Sequence, residues 1–303
     1  MIDQDTMEKY IKAGEIVNAT LKEAKRIVKP GVKIIDICEK LENLIRGFGG
    51  KPAFPVNVSV NEIAAHYSSP IGDTSTIPND GLVKVDVGAH IDGYITDAAI
   101  TIPLSRKYEK MAYTALKALI EAQKNFTAGK KLGKIGLIIE KTVKQEGFNP
   151  IRNLTGHLIT RYNLHAGKIV PNVKTVLTFK INLGEVYAIE PFVTNGYGEV
   201  IEWIDGYIYR IRNIKKAKTR IEKKIVEEIY SRYRTLPFSE RWIKDIIDPD
   251  KVRKVLADLV KKRIIEKYNV FIEKTGGYVA QFENTVIVTE KGAYVVTRVE
   301  EIA

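Results

Sequence analysis

The sequence predicts an α+β fold in which helices cover one face of a curved, mostly antiparallel sheet, with a basic helical segment inserted into the body. Three observations lead there. A 22-residue stretch recurs at an offset of 98 residues, each copy follows a helix-like run and precedes β-like segments, and the net positive charge gathers in residues 205–275.

The first helix-like run covers residues 6–28 and leads into the first copy, residues 31–52. Laid without gaps on residues 129–150, this copy matches at six of 22 positions, among them Gly31/Gly129, Glu42/Glu140, Gly49/Gly147 and Pro52/Pro150. Apolar partners coincide at Ile34/Leu132, Leu41/Ile139 and Ile45/Val143, with the spacing of three and four that marks one helix face. Residues 82–90 and 94–101, rich in Val, Ile and Thr, read as a hairpin around Asp92-Gly93. The second half repeats the order: residues 106–126 are helix-like, the second copy follows, and residues 186–194 read as strand. A cleft between two such halves is a natural place for a site.

Between a strand near Tyr207 and another near Val286, the basic segment interrupts the body. It carries 20 Lys+Arg against 11 Asp+Glu, a net of +9 out of +11 for the whole chain. Helices are expected at residues 218–233, at 240–247 with Ser239 as N-cap, and at 250–262 after Pro249. The expected division is therefore a catalytic body of residues 1–204 and 276–303 and an inserted, winged-helix-like basic subdomain of residues 205–275.

With 303 residues, 45% of them hydrophobic, the composition is that of an ordinary globular protein. No stretch approaches the roughly 20 apolar residues that cross a bilayer, and the polar start does not resemble a signal peptide. Cys38 is the only cysteine, so no internal disulfide forms, and a cytoplasmic location is expected. The charge excess in the insertion most often means a solvated face; DNA binding is not expected.

The chemistry begins at Asp86 and Asp97. If Asp92 and Gly93 form a two-residue turn, Asp86 pairs with Ala99 and Asp97 is its diagonal neighbour on the same face; a shift of one residue sets the two carboxylates face to face. Both registers place them together in an apolar strand pair, where unpaired carboxylates cost too much to expect without a cation. His157, His165, Glu190 and Glu283 are further ligand-type residues, the two glutamates sitting in otherwise apolar runs. The offset of 98 brings His66 within one residue of the counterpart of His165, so these two histidines are expected to face each other across the cleft. His90, at the hairpin tip, is expected to be structural.

The set Asp86, Asp97, His157, Glu190 and Glu283, with spacings of 11, 60, 33 and 93, resembles the five metal ligands of the methionine aminopeptidases, whose duplicated body is the pita-bread fold. The eight-residue step from His157 to His165, the Ala53-Phe54-Pro55 run before His66 and the long insertion before Ala280-Gln281-Phe282-Glu283 resemble the type 2 subfamily in its short archaeal form. The resemblance implies a metallo-exopeptidase that removes the N-terminal methionine of nascent chains and peptides by attack of a hydroxide held between two divalent ions. Asp86 would chelate one ion, Asp97 and Glu283 would bridge both, and His157 with Glu190 would hold the second. The ions would be Co, Mn, Fe(II) or Zn. Glu190 would also take the proton as general base, His66 and His165 would hydrogen-bond the substrate, and Phe54 and Leu164 would line the pocket for the thioether side chain. The basic insertion adds the expectation of a weak association with ribosomes.

Overall fold

A computed structural model describes residues 2–176 and 179–303, and for residues 204–205 the backbone alone. The first half opens with helices α1 (Gln4–Ile27) and α2 (Ile34–Gly47), followed by strands β1 (Lys51–Pro52), β2 (Asn57–Val60), β3 (Ile63–Ala65), β4 (Leu82–Ile91) and β5 (Tyr94–Pro103). The second half has α3 (Glu109–Lys124) and α4 (Leu132–Gln145), then β6 (Asn149–Pro150), β7 (Thr155–Ile159), β8 (Ile169–Pro171), β9 (Val186–Ile189) and β10 (Phe192–Thr194). Next come β11 (Val200–Ile211), α5 (Arg220–Tyr233), β12 (Phe238–Ser239), α6 (Val252–Lys261) and β13 (Ile265–Glu273). The chain closes with β14 (Val279–Gln281), β15 (Asn284–Thr289) and β16 (Gly292–Val295).

The duplication is visible in these bounds. Helix α4 starts and stops 98 residues after α2, and β6 lies 98 residues after β1. Two matched glycines in each copy explain why the sequence repeats there. Gly31 and Gly129 precede the helix at φ +80° and +83°; Gly49 and Gly147 follow it at +82° and +87°. No other atom crowds these four positions, so what they require is the left-handed backbone that a side chain disfavours.

Every strand pair in the four small sheets is antiparallel. Helix α1 lies across β4 and β5, and α3 packs on α4 and on β10 and β14. Their buried faces, including Leu21, Leu41 and Ile45 from the first half and Leu119, Ile135 and Ile139 from the second, merge into one apolar core.

The inserted segment has its own apolar cluster, in which Val226, Ile229, Phe238, Leu256 and Leu259 are buried. Helix α5 begins with a capping box, Thr219 accepting from the Glu222 amide while the Glu222 side chain accepts from the Thr219 amide. Ser239 caps a single 3₁₀ turn, Glu240–Ile243, where a longer helix was expected. The expected junction at residues 204/205 falls inside β11, at two residues whose side chains lie outside those described. This strand and β13 pair along their length, and β13 also pairs with β3, joining the insertion to the body.

Candidate active site

The β4–β5 hairpin turns at Asp92 (φ +52°) and Gly93 (φ +87°), both left-handed as a primed two-residue turn requires. Of the two registers open to the sequence, this turn selects the one that pairs Asp86 with Ala99 and Gly88 with Asp97. Ala99 also bridges to Glu283: its amide donates to the Glu283 carbonyl at 3.3 Å and the Glu283 amide donates back at 3.0 Å. Asp86, the small Ala99 and Glu283 therefore form one row across neighbouring strands. Strand β7 adds His157, paired with Ala188 on β9, and Glu190 follows just beyond the end of β9.

All nine residues singled out in the sequence line one small cavity of about 60 Å³: Phe54, His66, Asp86, Asp97, His157, Leu164, His165, Glu190 and Glu283. Nε2 of His157 lies 3.6 Å from Oδ2 of Asp97 and 3.6 Å from Oε1 of Glu190. Donor atoms of Asp97, His157 and Glu283 all fall within 4.8 Å of one another. His66 and His165 both pack around Tyr268, at ring-centroid distances of 5.3 and 6.3 Å, and His165 sits 4.4 Å from the His157 ring. His90, by contrast, accepts a 3.0 Å hydrogen bond at Nδ1 from the Gly93 amide and stays at the hairpin turn, a structural residue.

The electrostatics are unusual for a folded interior. Burial pushes the Asp86 carboxyl up to about 7, and burial followed by mutual repulsion raises Asp97, Glu190 and Glu283 well above the ordinary carboxylate range. Desolvation lowers His157 and His66 to about 4, leaving both neutral at physiological pH. Oδ1 of Asp86, Oδ1 of Asp97, Oε1 of Glu283 and Nδ1 of His157 are buried with no hydrogen-bond partner. Four orphaned ligand-type atoms beside one cavity form an incomplete polar network that a hard divalent cation would complete, and four carboxylates with one imidazole make an oxygen-rich donor set.

The sequence profile of metallopeptidase family M24 matches residues 8–290. The chain belongs to metallopeptidase family M24. Within it, the methionine aminopeptidase of Saccharolobus solfataricus is 44% identical, over 97% of this chain and 99% of its own length. That of Methanothermobacter thermautotrophicus is 42% identical over 96% and 98%. The M24 fold is seen in solved structures too. A thermophilic Arx1 superposes with a TM-score of 0.85 at 21% identity, covering 98% of this chain and 92% of its own. The methionine aminopeptidase of Thermotoga maritima gives 0.72 at 24% identity, covering 98% of both chains. As an M24 metallopeptidase the chain is a hydrolase that binds divalent metal.

Several residues in and around the cavity escaped the sequence reading. Gln281 donates through Nε2 to both Glu190 (3.2 Å) and Glu283 (3.1 Å), orienting the two carboxylates; its place two residues before Glu283 on the same strand face was the available signal. Asn57, Ile208, Pro237 and Tyr268 also line the cavity. Ile208 lies on β11 and Tyr268 on β13, both within residues 205–275, so the inserted segment builds part of the wall. No local pattern announces such contacts.

Proposed function

We propose that the chain is a methionine aminopeptidase of type 2 in its short archaeal form, removing the N-terminal methionine from nascent proteins and peptides. The single observation that carries this reading is the convergence of four carboxylates, two of them buried and two half-buried, one buried imidazole and two further histidines on one cavity with an apolar wall. Full-length identity of about two in five to curated methionine aminopeptidases supports the same substrate.

In this reading Asp86, Asp97, His157, Glu190 and Glu283 hold two divalent ions, of Co, Mn, Fe(II) or Zn. Such ions supply positive charge that polarises a carbonyl and lowers the pKa of water toward neutrality. The residues do the rest. Glu190, whose carboxyl is raised by burial, holds the proton taken from the attacking water. His66 directs Nδ1 at the Asn269 carbonyl, 3.2 Å away; the neutral ring therefore carries its proton on Nδ1 and offers Nε2 as an acceptor for the substrate amide N–H. His165 donates to the substrate carbonyl. Phe54 and Leu164, joined in one apolar cluster, receive the thioether side chain and exclude water.

Residues 205–275 form, in this reading, a basic, winged-helix-like subdomain whose charge supports weak, salt-sensitive association with ribosomes. No helix among the described residues is long and apolar enough to cross a membrane, and we place the enzyme in the cytoplasm.

Metal-stripped protein reloaded with each ion in turn tests the assignment, with methionine release from a Met-Gly-type peptide as readout. Activity is expected to return with metal and to be lost in His157→Ala and Glu283→Ala. Release from an Xaa-Pro peptide instead of Met-Gly would overturn the substrate assignment.

A further inference from the structure

Glu42 is identical in both sequence repeats with its counterpart Glu140, yet the two do different things. Glu140 accepts one backbone bond from the Lys174 amide at 2.9 Å. Glu42 is buried and accepts four hydrogen bonds: from the Val56 amide at 3.2 Å, from the indole of Trp242 at 2.7 Å, and from Nη1 and Nη2 of Arg241 at 2.8 and 2.6 Å. Both members of the ion pair have side chains only 2% exposed.

The rest of the Arg241 guanidinium points at the chain just after His66. Its Nε donates to the Ser69 carbonyl at 2.7 Å, and Nη2 reaches the Ser68 hydroxyl at 3.3 Å. Next to it, buried Glu240 accepts from the Ile71 amide at 2.8 Å. One ion pair thus touches three places: the segment between β1 and β2 that carries Phe54, the stretch that follows His66, and the inserted segment. His66 itself sits at φ +67°, a left-handed conformation uncommon for a residue with a side chain.

A buried ion pair is poor evidence of stabilisation, since apolar replacements of similar volume are often as stable. What a bidentate guanidinium supplies is geometry, because its planar fork fixes both partners in angle as well as distance. We propose that Arg241, clamped on Glu42, is a positioning residue for the peptidase: it fixes the His66–Ser69 segment against the Phe54–Val56 segment that leads into β2 and so sets where the His66 imidazole stands in the cavity. The inference rests on the reading that His66 touches substrate.

The test is a mutant cycle in the full-length, metal-loaded protein. The Arg241→Met/Glu42→Gln double variant removes both charges together and keeps an acceptor for Val56 and Trp242. In the wild-type background kcat on a Met-Ala tripeptide is expected to fall by about 10²-fold, the size of effect known for misplacement of a reacting group from a distance. Melting temperature and metal affinity should stay near wild type. In a His66→Ala background the same two changes should cause little further loss.

A folded double variant with wild-type kcat overturns the proposal. An equal loss in both backgrounds overturns it too, because the effect then does not pass through His66. If His66→Ala alone keeps the wild-type rate, the reading of His66 fails first and the proposal falls with it. Should the double variant not fold, Arg241→Lys takes its place. A lysine keeps the charge without the fork, so a smaller kcat loss that vanishes in the His66→Ala background is expected, and an undiminished rate rejects the positioning role.

Discussion

Thr285 and Asp97 grip each other through a single hydroxyl: Oγ1 of Thr285 accepts from the Asp97 amide at 2.7 Å and donates to the Asp97 carbonyl at 2.8 Å. The contact fastens β5, which carries Asp97, to β15, which begins just after Glu283. Replacing Thr285 with Val keeps the shape and leaves both backbone groups buried and unpaired. A loss of about 1–3 kcal/mol in chemical denaturation is expected. Calorimetric metal affinity should fall with it, and Thr285→Ser should recover most of both.

Above the ordinary histidine value of 6.5, where His66 and His157 are neutral folded or unfolded, the metal-free protein should lose stability as pH rises. The folded-state value of Asp86, about 7, stands above its ordinary 3.8, so the folded form favours the proton. The stability this contributes is complete below 3.8 and is lost as pH climbs through 7. The raised Asp97, Glu190 and Glu283 act in the same direction. Divalent metal compensates the ionised carboxylates, so the gain in melting temperature on adding metal should grow across that window and proton release should accompany binding. A metal-induced shift independent of pH would contradict this.

His165→Ala is expected to lower kcat by roughly 10²–10³-fold, the usual cost of removing one donor to a developing oxyanion, and His66→Ala to lower it through loss of the acceptor that holds the substrate amide. Metal affinity should be unchanged in both. A variant that lost its metal would show instead that the histidine supports the ligand set.

Gly88→Ala probes the apolar wall. A Cβ at this position would stand 2.2 Å from Cε1 of Phe54, forcing the ring to shift. The variant should fold, raise KM for methionyl peptides, and blur the preference for methionine over shorter side chains. Steady-state comparison of Met and norvaline peptides measures it.

Gly49→Ala and Gly147→Ala test the repeat. Both residues hold positive φ in open space, so strain alone opposes a side chain. Each should cost about 1 kcal/mol, and the two losses should add in the double variant because the sites share no partner. Urea denaturation at fixed metal concentration reads all three.

Local regularities made much of this legible in the sequence. The hairpin announced itself through Asp92-Gly93, the duplication through four glycines at matched positions, and the ligand-type residues through acidic side chains in apolar strands. What stayed hidden depends on contacts between distant residues. Thr285 reaches Asp97 across 188 positions, and Arg241 reaches Glu42 across 199. Neither a threonine in a β-rich run nor an arginine in a basic segment carries a mark of such a partner. A helix over residues 240–247 was expected because Ser239 reads as an N-cap; Ser239 caps only the 3₁₀ turn Glu240–Ile243, and Glu240 and Arg241 are committed to the Ser69–Ile71 loop.

Ile208 and Tyr268 belong to the inserted segment, on the strands with which it begins and ends, and both stand in the cavity wall. A minimal enzyme cut back to the duplicated halves would therefore lose more than an appendage. Its cleft would open to solvent on one side, with His66 and His165 missing the aromatic ring they share, and what distinguishes one substrate side chain from another would have to be rebuilt.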